Sequence, residues 1–313
     1  MSKTIVIAIG GNSLIRDAQH QTVKDQYDAV CETARHMVDL VEKGHRLIIT
    51  HGNGPQVGFI LLRSEYSRGF LHEVPIDSIV ADTQGAIGYQ IQQAIENEMW
   101  RRQVRRQVVT VVTQVLVNSD DPAFQKPTKP IGPFYKKEQA EERIKKDGWN
   151  MVEDAGRGWR RVIASPKPVR IIESHAVKLL VKEGVIVISA GGGGIPVIRD
   201  KDGILRGTAA VIDKDYASAL LAKEIGADLF VISTGVEQVC LNFKKPDQKN
   251  LSRLTKEEAK RYLAEGHFAA GSMKPKIEAC LQFLESGGKE ALITSPEKIK
   301  EALDGKTGTL IVA

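Results

Sequence analysis

Cysteine is scarce in this chain. Cys31, Cys240 and Cys280 are odd in number, far apart in sequence and contain no CxxC pair. A disulfide framework and a zinc site are both disfavoured, and the pattern fits a reducing cytoplasm. Long hydrophobic runs are missing too. The opening MSKTIVIAIGGN holds a single short apolar stretch, Ile5 to Ile9, too short for a signal-peptide core. Nothing approaches the roughly 18 apolar residues of a membrane span. A soluble intracellular protein without a membrane partner is expected. Nor is there an excess of one charge: 44 basic residues face 39 acidic ones, for a net +5, a mild balance that does not demand a nucleic-acid partner. The one dense basic run, Arg101 to Gln107, has two readings. It is a helix end whose cations suit the dipole, or a patch that binds phosphate or a polymer.

Familiar catalytic signatures are absent as well. The chain carries no GxxxxGK[ST] phosphate loop, no GxGxxG dinucleotide fingerprint and no HExxH zinc motif. It has neither an HRD-like base nor a Ser-His-Asp signature, and its seven histidines show no metal-ligand spacing. Only His51, beside a glycine loop, is well placed for chemistry, and a purely structural role is the simpler account of it.

What the sequence does contain is alternation. Short, solidly apolar, β-branched runs at 5–9, 47–50, 108–113, 185–189, 228–233 and 291–295 read as strands buried on both faces, with GTLIVA as a closing strand. Between them lie helical patterns. Val23, Tyr27, Val30, Ala34, Met37, Val38 and Val41 step by three and four before Gly44, and Ile79 to Met99 repeats every four residues. Further helices are predicted over 173–184, 213–226, 255–266 with a Thr255/Glu258 capping box, and 274–288 with Pro275 in its first turn. Strand–helix alternation of this kind predicts an α/β fold with a mostly parallel sheet and helices on both faces. Residues 120–168 break the texture, with six of the twelve prolines, two tryptophans and the highly charged helix 136–146. They are expected to form a subdomain projecting from the main body.

Three predicted strands end in glycine clusters: Gly10-Gly11-Asn12, Gly52-Asn53-Gly54 and Gly191–Gly194. In an open parallel sheet these would gather at the carboxyl ends of strands, where such folds bind ligands. Glycine lets backbone amides approach an anion closely, and a helix starting just beyond adds unpaired donors. Tight strand-to-helix turns explain any one loop as well, but three together point to a phosphate cradle. Phosphoryl transfer also needs cations placed near such loops. Lys214 lies between Asp213 and Asp215 at a helix start. Lys274 follows Gly271-Ser272, and Lys129 is braced by prolines in PTKPIGP. The missing general base suits an acceptor that is already an anion.

Six blocks in order, IAIGGNSLI, ITHGNGPQVG, PTKPIGPFY, SAGGGGIPV, VIDKDYAS and GSMKPKIEA, resemble the carbamate kinases of the amino-acid-kinase superfamily, from the first strand to the last. The resemblance implies a homodimeric three-layer αβα sandwich with a protruding inserted subdomain. It implies a single domain over 1–313, with an acceptor-side lobe of about 1–210 and a nucleotide-side lobe of about 211–313. The implied reaction is ATP + carbamate ⇌ ADP + carbamoyl phosphate with Mg²⁺. Gly10, Gly11, Asn12, Gly52, Asn53 and Gly54 would hold carbamate and the phosphoryl group. Lys129, Lys214 and Lys274 would clamp its oxygens, and Asp215 would orient the lysines. Thr234, Gly235, Val236 and Met273, with Lys214 and Lys274, would lie at the nucleotide. Ala8 stands where relatives such as acetylglutamate kinases carry a lysine, which favours carbamate over an amino-acid acceptor. The alternatives are a related kinase for a carboxylate or nucleoside monophosphate, or a nucleotide sensor without turnover.

Overall fold

A computed structural model describes residues 2–11, 14–15, 19–154, 156–269 and 271–313. Its centre is an eight-stranded sheet. From one edge to the other it runs Arg253–Thr255, Thr309–Val312, Glu290–Thr294, Leu229–Ser233, Thr4–Ile9, Arg46–His51, Ile186–Ile188 and Val108–Thr110. The six strands from Glu290–Thr294 to Val108–Thr110 are parallel. The closing strand Thr309–Val312 pairs antiparallel with Glu290–Thr294 and carries Arg253–Thr255 in parallel beyond it.

The apolar runs of the sequence form this sheet because both of its faces are covered. Along Thr4–Ile9, Val6 and Ala8 join Ile48, Phe230 and Ile232 in one core, whereas Ile5, Ile7 and Ile9 join Ile49, Leu229 and Val231 in a second. The period of two of a strand sends alternate side chains to opposite layers. Each fully buried aliphatic chain contributes about 1.5–3 kcal/mol. Helices Ser174–Lys182, Lys214–Ile225 and Met273–Glu285 cover the first face; Val23–Glu42 and Ile76–Arg101 cover the second. The fold is therefore a three-layer αβα sandwich.

Local signals match the helix ends. Thr255 accepts a hydrogen bond from the Glu258 amide while the Glu258 carboxylate receives the Thr255 amide, the capping box read from sequence, and the helix runs Lys256–Ala264. Gly44 adopts φ +83° just beyond Val23–Glu42. Other pairings were not legible. Gln114–Val117, Pro168–Ile171, Ile195–Arg199 and Leu205–Gly207 form a second, four-stranded sheet. Between its first two strands in sequence, Lys129–Tyr135, Trp159–Ile163 and Met151–Glu153 make a separate antiparallel sheet with helix Lys137–Asp147. This insert has its own small core of Ala140, Trp149 and Met151, with Tyr135 and Trp159 against it.

Candidate active site

The carboxyl ends of the parallel strands form one rim of the sheet, and a cavity of ≈ 790 Å³ opens there beneath the insert. Strand Arg46–His51 delivers Gly52-Asn53-Gly54 into it, and helix Gly54–Tyr66 starts at once. Asn53 occupies the N-cap but does not cap. Its side-chain amide donates instead to Thr83 Oγ1 at 2.8 Å, on the long helix. First-turn amides have no partner inside their own helix, so an end left uncapped by its own side chain suits an anion. A Cβ on Gly52 would find only Lys214 Cε at 3.9 Å, and one on Gly54 would find nothing within 4 Å. The space in front of these glycines is open.

Opposite them, helix Lys214–Ile225 begins with Asp213 as its cap. Asp213 Oδ1 accepts the Asp215 amide at 2.9 Å, and Oδ2 receives Lys129 Nζ at 2.9 Å. Asp215 is the second organiser. Its Oδ1 receives Lys214 Nζ at 2.8 Å and its Oδ2 receives Lys276 Nζ at 2.9 Å. Lys214 Nζ also lies 3.5 Å from the Ala8 carbonyl. Burial opposes the Asp215 carboxylate, but the Lys214 and Lys276 ammonium groups outweigh it and hold its pKa at about 2. Burial pushes the Lys214 pKa down, against the pull of Asp215. Two carboxylates thus aim three ammonium groups. Arg157 and Arg160, from the insert, line the same cavity and leave the wall cationic.

Lys274 is placed elsewhere. Its side chain is 47% exposed, and Glu278, at 3.9 Å, is its ion-pair partner. The cation that reaches Asp215 from that helix is Lys276, which sequence reasoning passed over. A signal for it existed. Positions 276, 280 and 283 fall on one helical face, and Cys280 and Phe283 are fully buried. Two residues on a helix are about 200° apart, so Lys274 turns away as Lys276 turns in. Met273 begins the same helix.

The third glycine run is different in kind. A Cβ would meet His51 Nε2 at 2.3 Å from Gly191, Asn53 Nδ2 at 2.0 Å from Gly192, the Ile212 carbonyl at 2.2 Å from Gly193 and Val115 at 2.1 Å from Gly194. Only Gly192 of the four lines the cavity. Gln84, from the long helix, donates to the Gly191 and Thr113 carbonyls at 3.0 Å and accepts the Thr113 amide at 2.8 Å, clamping the run in place. His51 is buried here, which lowers its pKa to about 4; its Nδ1 sits 2.9 Å from the Gly52 carbonyl, so the neutral ring donates to that oxygen. Of the first loop, Gly10 packs against the strand end at Ser233, where a Cβ would lie 3.0 Å from the carbonyl, and Gly11 faces open space. Asn12 lies outside the described residues. Thr234 donates its amide to the Thr294 carbonyl at 2.8 Å; it, Gly235 and Val236 follow the strand Leu229–Ser233 at the same rim, outside the cavity wall.

The chain that carries this layout, with open glycine amides and acid-aimed lysines at one rim of a parallel sheet, is similar in sequence and fold to known proteins. The model of the amino acid kinase family matches residues 3–295. The chain belongs to the amino acid kinase family. It is 51% identical over 315 residues to the carbamate kinase-like protein YahI of Escherichia coli, covering 100% of this chain and 99% of that one. It is 48% identical over 313 residues to the carbamate kinase of Thermococcus kodakarensis, covering 99% of each. Among solved structures, the carbamate kinase of Giardia lamblia bound to AMP-PNP superposes with a TM-score of 0.94 at 40% identity, over 99% of this chain and 98% of that one.

As a member of an amino acid kinase family the protein is a kinase, and its full length is shared with its relatives. Among the described residues no helix is long and apolar enough to cross a membrane. The acids of the site are all engaged by lysines, and among the described residues no group of three His, Cys, Asp or Glu is arranged to hold a metal ion.

Proposed function

We propose that this amino acid kinase transfers a phosphoryl group reversibly between ATP and carbamate, giving ADP and carbamoyl phosphate. The observation that carries this reading is the Lys214–Asp215–Lys276 triad facing the open Gly52–Gly54 loop across one cavity. A migrating phosphoryl group spreads charge over its equatorial oxygens, and catalysis consists largely of positioning and neutralising it. Lys214 and Lys276 supply the charge; Asp215 fixes where they sit without competing for a proton, because it stays ionised far below neutral pH. Lys129 reaches in from the insert, and Asp213 holds it. Carbamate attacks through an oxygen that already bears negative charge, so no side chain has to remove a proton. His51, buried and neutral, is unsuited to that task in any case.

The remaining assignments follow from the same reading. Residues of about 1–210 form the acceptor-side lobe, with the insert of about 120–168 as its protruding subdomain, and residues 211–313 form the nucleotide-side lobe. Gly10, Gly11 and Asn12 complete the acceptor loops, and Thr234, Gly235, Val236 and Met273 border the nucleotide. Among the described residues Mg²⁺ finds no carboxylate cage, so we assign it no protein ligand and expect it to arrive on nucleotide phosphates. A homodimer is supported by the exposed apolar side chains of Tyr66, Phe70, Leu71, Tyr89 and Trp100. A cytoplasmic setting is supported by three unpaired cysteines.

The test supplies ADP, carbamoyl phosphate and Mg²⁺ to folded protein and measures ATP. Formation of ATP is expected. No ATP, with turnover instead on acetylglutamate, aspartate, glutamate or UMP in the ATP-consuming direction, replaces carbamate with that acceptor. Nucleotide binding by calorimetry with turnover on none of them makes the chain a sensor.

A further inference from the structure

The basic run at Arg101–Gln107 divides in two in the folded protein. Arg102 is consumed by Asp39, Glu42 and Glu98, and Arg101 by Glu98. Arg105 and Arg106 are not. They meet Arg46, from the start of strand Arg46–His51, and Lys182, from the end of helix Ser174–Lys182, around a depression of ≈ 790 Å³. This depression lies at the amino-terminal edge of the parallel strands, the opposite rim from the lysine cluster. Among the described residues Arg46, Arg105 and Lys182 have no ion pair, and Arg106 spends one N–H on the Gly184 carbonyl at 3.4 Å. Among the described residues Glu183 is the only carboxylate on the wall.

The bland account is that cations collect where helices end, because the last carbonyls are partly negative. It explains Arg106 and Gly184. It does not explain four cations around one concave surface with a single acid, since one charge per helix end would satisfy each dipole. Like charges held together repel unless an anion fills the space between them. We infer that Arg46, Arg105, Arg106 and Lys182 form a second anion site, remote from the catalytic rim, for a small multiply charged phosphate. Guanidinium groups present paired N–H donors that match phosphate oxygens. Among the described residues no aromatic side chain lines the depression, so it offers no stacking platform for a base. The recognised unit is the phosphate chain itself, whether inorganic or carried by a nucleotide. The site goes beyond the reaction proposed above and does not depend on it.

The test is calorimetric titration of the full chain with inorganic tripolyphosphate. Two sites per chain are expected in the wild type, because the catalytic cavity also attracts a phosphate chain. In Arg105→Ala/Arg106→Ala one of them weakens by at least about tenfold, the cost of losing a charge-assisted hydrogen bond, while ADP phosphorylation from carbamoyl phosphate and the unfolding midpoint stay unchanged. Arg105→Glu is expected to abolish the same site alone. ATP should bind there no more tightly than tripolyphosphate. Tripolyphosphate binding that survives the substitutions undiminished at every site, or no site that they weaken, would overturn the proposal. So would tighter binding, at the site the substitutions weaken, of ATP or of a single-stranded oligonucleotide than of tripolyphosphate, since either requires base contacts this wall does not provide.

Discussion

Gly52 and Gly54 look out on empty space, whereas a Cβ on any of Gly191 to Gly194 would strike a neighbour at 2.0–2.3 Å. Both runs follow parallel strands that pair directly with each other in one sheet. One is glycine so that a ligand can come close. The other is glycine so that the protein can come close to itself, with His51, Asn53, Ile212 and Val115 filling the places of the missing side chains. The packed run even holds a non-glycine residue in left-handed backbone, Ala190 at φ +50°, a conformation that costs about 1–2 kcal/mol and is held by the surrounding packing. The lesson is that a glycine cluster at a strand end marks close approach without saying what approaches.

The sharpest way to break this comparison is to remove charge on the open side. Lys214→Ala and Lys276→Ala are each expected to slow ATP formation by about 10²–10³, or about 3–4 kcal/mol of barrier, with the unfolding midpoint little changed; a near-normal rate for either would take that lysine out of the site. On the packed side, Gly193→Ala places a methyl 2.2 Å from the Ile212 carbonyl at φ +92°. A loss of about 3 kcal/mol in urea unfolding is expected.

The same packed run carries a pH signature. Burial holds the His51 pKa at about 4, below its ordinary 6.5. As pH falls, the unfolded chain therefore takes up its proton first. The stability His51 contributes is complete above about pH 6.5 and is lost progressively toward pH 4, amounting to about 3 kcal/mol across that window. Unfolding free energy measured against pH should show this slope, and His51→Gln should flatten it.

Returning to the open side, Gly54→Ala has room for its methyl. It should leave stability within about 0.5 kcal/mol yet slow turnover by up to about 100-fold, because the intruding group shifts the anion by about 1 Å. If it instead unfolds the protein and leaves the surviving fraction fully active, the two runs are alike after all. The smallest effect belongs to Lys274→Ala. That side chain is half exposed and pairs at 3.9 Å with Glu278, so less than about a twofold change in rate is expected, in line with exposed ion pairs.

Much of this was legible beforehand. Solid apolar runs announced strands covered on both faces, and the capping box at Thr255 and Glu258 marked the start of its helix. Lys129 and Lys214, which line the cavity, stand out in the sequence through local features: prolines around one, flanking acids and a helix start around the other; Asp215 came with the family resemblance. Lys276 was missed in favour of its neighbour because the choice depends on which face of helix Met273–Glu285 meets the core, a matter of a 200° rotation that a four-residue motif does not display. The four-stranded second sheet was missed because its strands come from places as distant as Gln114 and Gly207 and are short and half-exposed.

The sequence by itself determined the layers, since the period of two in strands and of three to four in helices is a local property that fixes which side chains must be buried. It also determined that glycines and lysines would gather at one rim, because parallel strands all end on the same side. Only the tertiary structure decided which glycines face a ligand and which face the protein, and which lysine turns inward. Those outcomes depend on what a distant segment places within a few ångströms, and no local pattern encodes a distance across the fold.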